Sequence, residues 1–428
     1  MEYKLVKKDL AEGLHLCEIS AEKFKTACAS ITFTLPLGEK ASLYALVPNV
    51  LTRSSKKYPD LTSIEEKLAL LYGAEITVDV SKSGEHQNLK ITIGFIDDRF
   101  AIDGENLTEE CCRLLFELVF NPKLNNGVFC DLEVESEKRL LAERLSAESS
   151  DKRIYAKNRC DEIMFSDEVY GINRYGTLKD INAVTPETLY MAYREVLESS
   201  EITVCISGGE SQGIEEMLKN YTDNINRKII KSKTLFVEYA DDVQYVKEQE
   251  AVKQGKLVMG FRLGMANEED GYAPRRVMVD LFGGSPSSKL FTIVREKMSL
   301  CYYCSARMVR QKGVMFVQSG IESYNEEKAK NAILQQLEDI KNGNFTDEDL
   351  DASKKALEDS FKSVTDSPEM LENWYMSQVV SQKFLPPEDF IKEFKNVTRE
   401  QIIEVAKEVT LDTVFMLEGT LEGGAENE

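Results

Sequence analysis

Two hydrophobic periods run along this chain, one of two residues and one of about 3.6, and they follow the same order twice. Residues 3–7 and 14–19 alternate in short segments. Residues 26–37, T-A-C-A-S-I-T-F-T-L-P-L, alternate long enough to predict a strand that ends in a turn at Gly38. Leu43, Leu46, Val47, Val50 and Leu51 then fall at helical spacing and predict a helix over 41–51, with Pro48 as a kink inside it or a mark of its first turn. A second amphipathic helix is expected over 63–72, stopped by Gly73. Residues 74–80 and 89–95 alternate around S-G-E-H-Q-N and predict a hairpin. Helices are expected over 108–120, 131–148 and 152–165, followed by a loop, Y-G-I-N-R-Y-G-T. Thr185 caps a helix over 186–197 that has Pro186 in its first position, and a strand over 201–207 ends at Gly208-Gly209.

Residues 223–249 are polar apart from a short apolar run at 234–237, and read as a linker. The order then begins again. The strand over 256–263 parallels 30–37, the helix over 273–282 parallels 43–51, and the helix over 290–297 parallels 64–71. Residues 300–308 and 313–320 repeat the hairpin, and helices follow over 326–340 and 346–364. Thr398, with Gln401 at the capping-box position, opens a last helix, and 413–417 closes the half as a strand. The tail E-G-G-A-E-N-E is too polar and small to pack and is expected to be disordered. The fold class is therefore α+β. Two tandem homologous units of about 200 residues each carry an antiparallel sheet with helices over one face. The expected boundaries are 1–222 for the first unit, 223–249 for the linker and 250–428 for the second unit.

Composition narrows the function. A net charge of −21 argues against nucleic acid and against an anionic membrane surface, both of which select clustered Lys and Arg. The N-terminus has no long apolar run, and no window approaches the ~20 apolar residues of a membrane span, so the cytoplasm is the expected location. Nine scattered cysteines fit a reducing compartment better than a disulfide framework. Cys301-x-x-Cys304 lies on a predicted strand, where residues three apart point to opposite faces, so it reads as packing, as does Cys111-Cys112 in its helix. Only two histidines exist, which restricts every mechanism that needs imidazole. His15 begins half of an H-x-x-E-H pattern in which Ile19 replaces the second ligand, and His86 falls in the hairpin turn; both read as turn or surface residues.

One stretch stands out against this background: G-G-S-P-S-S-K-L-F-T-I-V-R-E-K-M-S-L-C-Y-Y, 283–303. Gly283 and Gly284 allow positive φ and close approach of another backbone, and Ser285 or Ser287 is placed to cap the helix over 289–297. Arg295 then precedes Tyr302 by seven residues. An Arg offers a fork of donors to a carboxylate or peptide carbonyl, and a Tyr hydroxyl can donate to a carbonyl oxygen.

The chain resembles the pitrilysin/insulinase-like zinc peptidases, the inverzincins, over nearly its whole length. The likeness rests on A-L-V-P-N-V-L-T-R-S-S-K-K-Y-P-D, I-E-E-K-L-A-L-L-Y-G-A-E, F-S-D-E-V-Y-G and Y-G-T-L-K-D-I-N-A-V-T-P-E in the first half. In the second half it rests on the Gly-Gly-Ser turn and Arg-Glu-Lys…Tyr run of 283–303. Active members carry H-x-x-E-H, two zinc-binding histidines one helical turn apart with a glutamate as general base, and a further Glu as third ligand. Here the matching positions are Ala45, Pro48 and Asn49, and Glu143 lies near the third. The resemblance therefore implies no catalytic residue and no metal in this chain. It implies Arg295 and Tyr302 (Tyr303 if the register slips by one) as substrate-binding residues. It further implies a non-catalytic subunit that pairs with a zinc-binding subunit of the family, the two closing like a clamshell around an unfolded peptide. The alternative it implies is an inactive scaffold or peptide-binding protein. Relatives of that kind serve in respiratory complexes, elongation factor P modification or peptide maturation.

Overall fold

A computed structural model describes residues 3–209 and 211–420, so the tail E-G-G-A-E-N-E lies outside the described residues. The strands are β1 (Lys4–Ala11), β2 (Leu14–Ser20), β3 (Thr26–Pro36), β4 (Glu75–Ser83), β5 (His86–Ile96), β6 (Glu201–Ser207), β7 (Gln244–Glu250), β8 (Gly255–Arg262), β9 (Cys301–Val309), β10 (Val314–Ile321) and β11 (Thr410–Gly419). They form two sheets, in the orders β1-β2-β6-β3-β5-β4 and β7-β11-β8-β10-β9. Apart from β1, each strand of the first sheet has a counterpart at the same place in the second. Even the one parallel pairing recurs, β2 with β6 and β7 with β11. The tandem α+β repeat read from the sequence is the architecture of the chain.

The helices follow the same duplication. They are α1 (Ala41–Leu51), α2 (Leu61–Leu70), α3 (Leu107–Phe120), α4 (Asp131–Ser150), α5 (Lys152–Met164), α6 (Leu178–Ala183), α7 (Pro186–Ser199) and α8 (Ile214–Thr222), then α9 (Tyr272–Val279), α10 (Glu326–Lys341), α11 (Asp347–Ser363), α12 (Pro368–Met376), α13 (Pro387–Asn396) and α14 (Arg399–Lys407). Their starts follow capping chemistry. Asp60 accepts from the Ser63 amide at 2.8 Å, Thr185 precedes Pro186, and Thr398 exchanges hydrogen bonds with Gln401. The short helices α6, α8, α12 and α13 fall outside the sequence expectation.

The compact units are not the contiguous halves 1–222 and 250–428. One unit comprises residues up to Ser146, Ile172–Lys233 and Val364–Phe384; the other comprises Ala147–Gly171, Thr234–Ser363 and the chain from Leu385. The fifth helix of each repeat is responsible, because it packs on the sheet formed by the other repeat. In the first unit, Leu371 and Tyr375 of α12 cover Tyr3, Cys17, Ile19, Phe24 and Cys205. In the second, Ala156, Cys160 and Met164 of α5 cover Val258, Phe316 and Phe415. The expected linker is likewise divided. Its last residues form β7, the edge of the second sheet, because an extended polar segment there completes the ladder on β11.

This exchange overturns the expectation of helices on one face only. Alternate residues of β3 (Ala27, Ala29, Ile31, Phe33, Leu35) enter the main core with α1, α3 and α7. The intervening Cys28, Ser30, Thr32 and Thr34 are buried too, because they lie on the α12 side. Burying a side chain such as Phe33 contributes about 1.5–3 kcal/mol, and the second covered face adds to that core. Each exchanged segment also brings a buried carboxylate that pairs with a cation of the sheet. Glu372 of α12 accepts from the Ser30 hydroxyl at 2.6 Å and pairs with Lys90. Glu168, after α5, pairs with Arg262 at 3.0 Å and Lys312 at 2.6 Å, and Arg262 also reaches Asp412 at 2.7 Å.

Candidate functional site

The first site candidate is α1, where the zinc motif of the resemblance would stand. Ala45 and Pro48 are buried in the core and carry no ligand atom. Asn49 donates its side-chain amide back to the Ala45 carbonyl at 2.8 Å, so it is committed to its own helix. Asn49, Thr52, Arg53 and Glu137 line a pocket of about 170 Å³ with Ile64, Leu68 and other side chains of α2 and β4. Arg53 ion-pairs with Glu137 there. Burial raises the Glu137 carboxyl above its ordinary range, and the charges of Arg53 and Arg144 only partly offset this. Glu143, expected near the third ligand, is exposed; Glu137 is the α4 carboxylate that lines the pocket. The helical period carried the signal, since Glu137 lies four residues before the buried Leu141 and three after the buried Val134. Among the described residues, no three His, Cys, Asp or Glu side chains gather in a way that could hold a metal ion. This donor set does not fit zinc.

Neither histidine is the turn or surface residue expected. His15 sits on β2, where its Nδ1 meets the Asp9 carboxylate at 2.6 Å. His86 is not a turn or surface residue. The hairpin turns at Gly84-Glu85, which leaves His86 as the first residue of β5, buried, with Nε2 at 2.9 Å from the Ser232 hydroxyl. Burial pulls its imidazole below the ordinary histidine range, opposed by hydrogen bonds to Ser83 and Ser232.

The second candidate, residues 283–303, lies in the second unit. Neither Gly283 nor Gly284 takes positive φ. Gly283 instead serves close approach, since a Cβ there would lie 2.7 Å from the Ala306 amide nitrogen of β9. The following helix, Leu290–Lys297, is wound as a π-helix, with the Met298 amide donating to the Ile293 carbonyl at 2.8 Å. No serine caps it; Ser285 and Ser287 turn their hydroxyls to each other at 3.1 Å. The backbone there closes a turn, the Ser288 amide donating to the Ser285 carbonyl at 3.1 Å.

Arg295 projects from this helix half-buried, its guanidinium 4.4 Å from the ring centre of Phe291. Among the described residues it makes no ion pair. Tyr302 is 59% exposed and donates its hydroxyl to the Glu322 carboxylate at 2.6 Å. That bond and the Glu322 charge raise the Tyr302 phenol above its ordinary range. Tyr303 points to the opposite face, where the Arg153 guanidinium lies 4.5 Å from its ring centre and Gly320 leaves room for the ring. Burial pushes the Tyr303 phenol up to about 12. Tyr302 is therefore the more exposed of the two, with its hydroxyl held by Glu322. Arg295 lies against Phe291 and Tyr302 bonds Glu322, and among the described residues no hydrogen bond joins the two.

Comparison with known proteins fits this geometry. A family model described as the peptidase M16 inactive domain matches residues 183–357. The "Probable inactive metalloprotease YmfF" of Bacillus subtilis (strain 168) is 31% identical over 422 residues, which is 98% of this chain and 99% of that one. A conserved protein from Enterococcus faecalis V583 has a solved structure similar at a TM-score of 0.88 and 27% identity, covering 99% of this chain and 100% of that one. A protease from Helicobacter pylori shares the fold at a TM-score of 0.80 and 16% identity, over 98% of this chain and 100% of the other. With two matching repeats and a first-half motif emptied of ligands, this chain belongs to the pitrilysin/insulinase-like M16 peptidase family, as one of its inactive members.

Proposed function

We propose that this chain is the non-catalytic subunit of a heterodimeric zinc peptidase. In this reading it holds no zinc. The partner subunit, a zinc-binding member of the family, supplies the metal and its general base. Arg295 and Tyr302 supply donors that hold the backbone of a peptide substrate and stabilise charge developing on a carbonyl oxygen. One observation carries the reading: in a chain of net charge −21, Arg295 stands without an ion pair among the described residues, seven residues before the exposed Tyr302. A guanidinium so placed is available to a ligand at little desolvation cost.

The test is a peptidase assay on this chain alone, on a co-expressed relative carrying H-x-x-E-H, and on the two together, with zinc analysis of each. Activity confined to the mixture, with zinc confined to the relative, is the expected result. Arg295→Ala should then lower kcat/KM at least 100-fold, about 2.7 kcal/mol, without separating the subunits. Zinc or hydrolysis in this chain alone would overturn the proposal. A stable complex that cleaves no peptide would point instead to a scaffold or peptide-binding protein.

A further inference from the structure

Cys301 and Cys304 do not face apart as a regular strand would place them. β9 pairs with β10 through Cys304↔Ser319 and Tyr303↔Gly320, and then slips, so that Ile321 faces Cys301. Tyr302 is the extra residue of a β-bulge. Ser319 and Ile321 are two apart on β10 and share a face, so their partners Cys304 and Cys301 share it too. The two side chains thus lie on one face of β9, opposite Ser319, whose hydroxyl donates to the Tyr303 carbonyl at 3.1 Å. Cys304 is buried and Cys301 is half-buried, so only one of the pair is open to a reagent.

Their electrostatics differ in the same sense. The neighbouring Cys304 side chain lowers the Cys301 thiol below its ordinary range; burial opposes this, and Ser319 and the Arg295 charge assist it. The Cys301 side chain, together with burial, pushes the Cys304 thiol well above its ordinary range. Six other cysteines, Cys17, Cys28, Cys111, Cys112, Cys160 and Cys205, are buried. Burial raises each of those thiols.

We propose that Cys301 and Cys304 form a redox-active dithiol that a low-molecular-weight disulfide converts reversibly into an intramolecular disulfide. The Cys301 thiolate attacks one sulfur of the reagent, forming a mixed disulfide and expelling one thiolate. Cys304 then loses its proton and attacks the Cys301 sulfur, closing the Cys301–Cys304 bond and expelling the second thiolate. The reagent takes up two electrons and two protons and leaves as two thiols. A disulfide closed over two residues gains little loop entropy, so excess thiol reverses it. Tyr302 lies inside the closed ring, so oxidation alters the bulge that presents it. The proposal is independent of any peptidase role.

Trypsin releases residues 298–307, M-S-L-C-Y-Y-C-S-A-R, as one peptide holding both thiols and no other cysteine. The full chain is equilibrated with reduced and oxidised glutathione, quenched in acid, alkylated, digested and weighed. In the oxidising buffer this peptide should be two hydrogens lighter and unalkylated, and excess reduced glutathione should restore it. Cys304→Ser should accumulate a mixed disulfide at Cys301, and Cys301→Ser should stay unmodified. Arg295→Gln should slow the reaction of Cys301 roughly three- to tenfold near neutral pH, through loss of thiolate. Two free thiols in the wild-type peptide in the oxidising buffer would overturn the proposal, and so would a mixed disulfide that wild-type Cys304 does not resolve. The wild-type arm needs no variant and decides the matter even where a substitution impairs folding.

Discussion

Glu372 gives the sharpest test of the helix exchange. Its carboxylate is fully buried beneath α12, accepts from the Ser30 hydroxyl at 2.6 Å and pairs with Lys90, whose side chain is 12% exposed. The Lys90 ammonium has one further acceptor, the Asn373 side-chain oxygen at 2.7 Å. Replacing one partner of such a pair leaves the other charge buried without compensation, a loss of about 3–5 kcal/mol. Glu372→Gln keeps an acceptor for Ser30 and the side-chain volume, so it belongs at the lower end, about 3 kcal/mol. Glu372→Ala also strands the Ser30 hydroxyl, which adds about 1–3 kcal/mol. Removing both charges in Glu372→Gln/Lys90→Met should recover at least half of the loss, because no uncompensated ion remains.

The assay has a built-in reporter. Trp374, the single tryptophan of the chain, lies on α12 two residues from Glu372 and packs at the edge of the same cluster. Guanidinium unfolding followed by Trp374 fluorescence reads the first unit, while circular dichroism reads both. In Glu372→Gln the fluorescence transition should move to lower denaturant and precede the later part of the dichroism change. A Glu372→Gln transition within 1 kcal/mol of wild type, or a double variant no more stable than the single one, would refute the reasoning that this pair secures α12.

The second unit should behave in parallel: Glu168→Gln removes one of two anions facing Arg262 and Lys312, and should cost about 3 kcal/mol by dichroism-monitored unfolding, with Trp374 fluorescence little changed. Asp280 provides a pH test. Burial raises its carboxyl above the ordinary range, only partly offset by Arg276 and Ser285, and one of its oxygens has no partner. A raised folded-state pKa favours the native state below the unfolded-state value, and that contribution is lost as pH rises through the folded-state value. Asp280→Asn should therefore be more stable than wild type at neutral pH, with the difference vanishing in acid, as measured by thermal melts across that range.

Much of this fold was legible because burial on one side leaves a period. β5 alternates plainly, and the caps at Thr185 and Thr398 sit where the sequence predicts them. The exchange of α5 and α12 was not legible, because a helical stripe says which residues are buried but not which sheet buries them. A trace of it stands in β3 all the same. The residues between its apolar positions are Cys28, Ser30, Thr32 and Thr34, small and uncharged, as suits a strand covered on both sides and unlike the charged outer face of a half-exposed one. The segment 283–303 was legible as a singular stretch but not in its geometry. The π-winding of 290–297 and the bulge at Tyr302 both come from one extra residue inserted into a regular ladder, which shifts facing without changing composition. That single residue explains why Cys301 and Cys304, read as facing apart, lie together.

The two repeats have been put to different uses, and packing says why. In the first, the positions where active relatives keep ligands have become core. Ala45 and Pro48 are buried, Asn49 bonds its own helix, and in the adjoining pocket, which Glu65 also lines, Arg53 is already paired with Glu137. A divalent ion there would confront a guanidinium and find its nearest carboxylate taken, so desolvation would not be offset. Hydrolysis by this chain would thus require rebuilding the charge balance of α1 and α4 as well as the missing histidines. In the second repeat nothing of this kind has closed over the chemistry. An arginine without an ion pair among the described residues, an exposed tyrosine on a bulge and a half-buried thiol lie within seven residues of sequence. A chain kept only for its fold has no physical need for such a grouping, since each member is less well satisfied than it would be in the core. The chemistry to be sought in this protein is therefore that of residues 295–304.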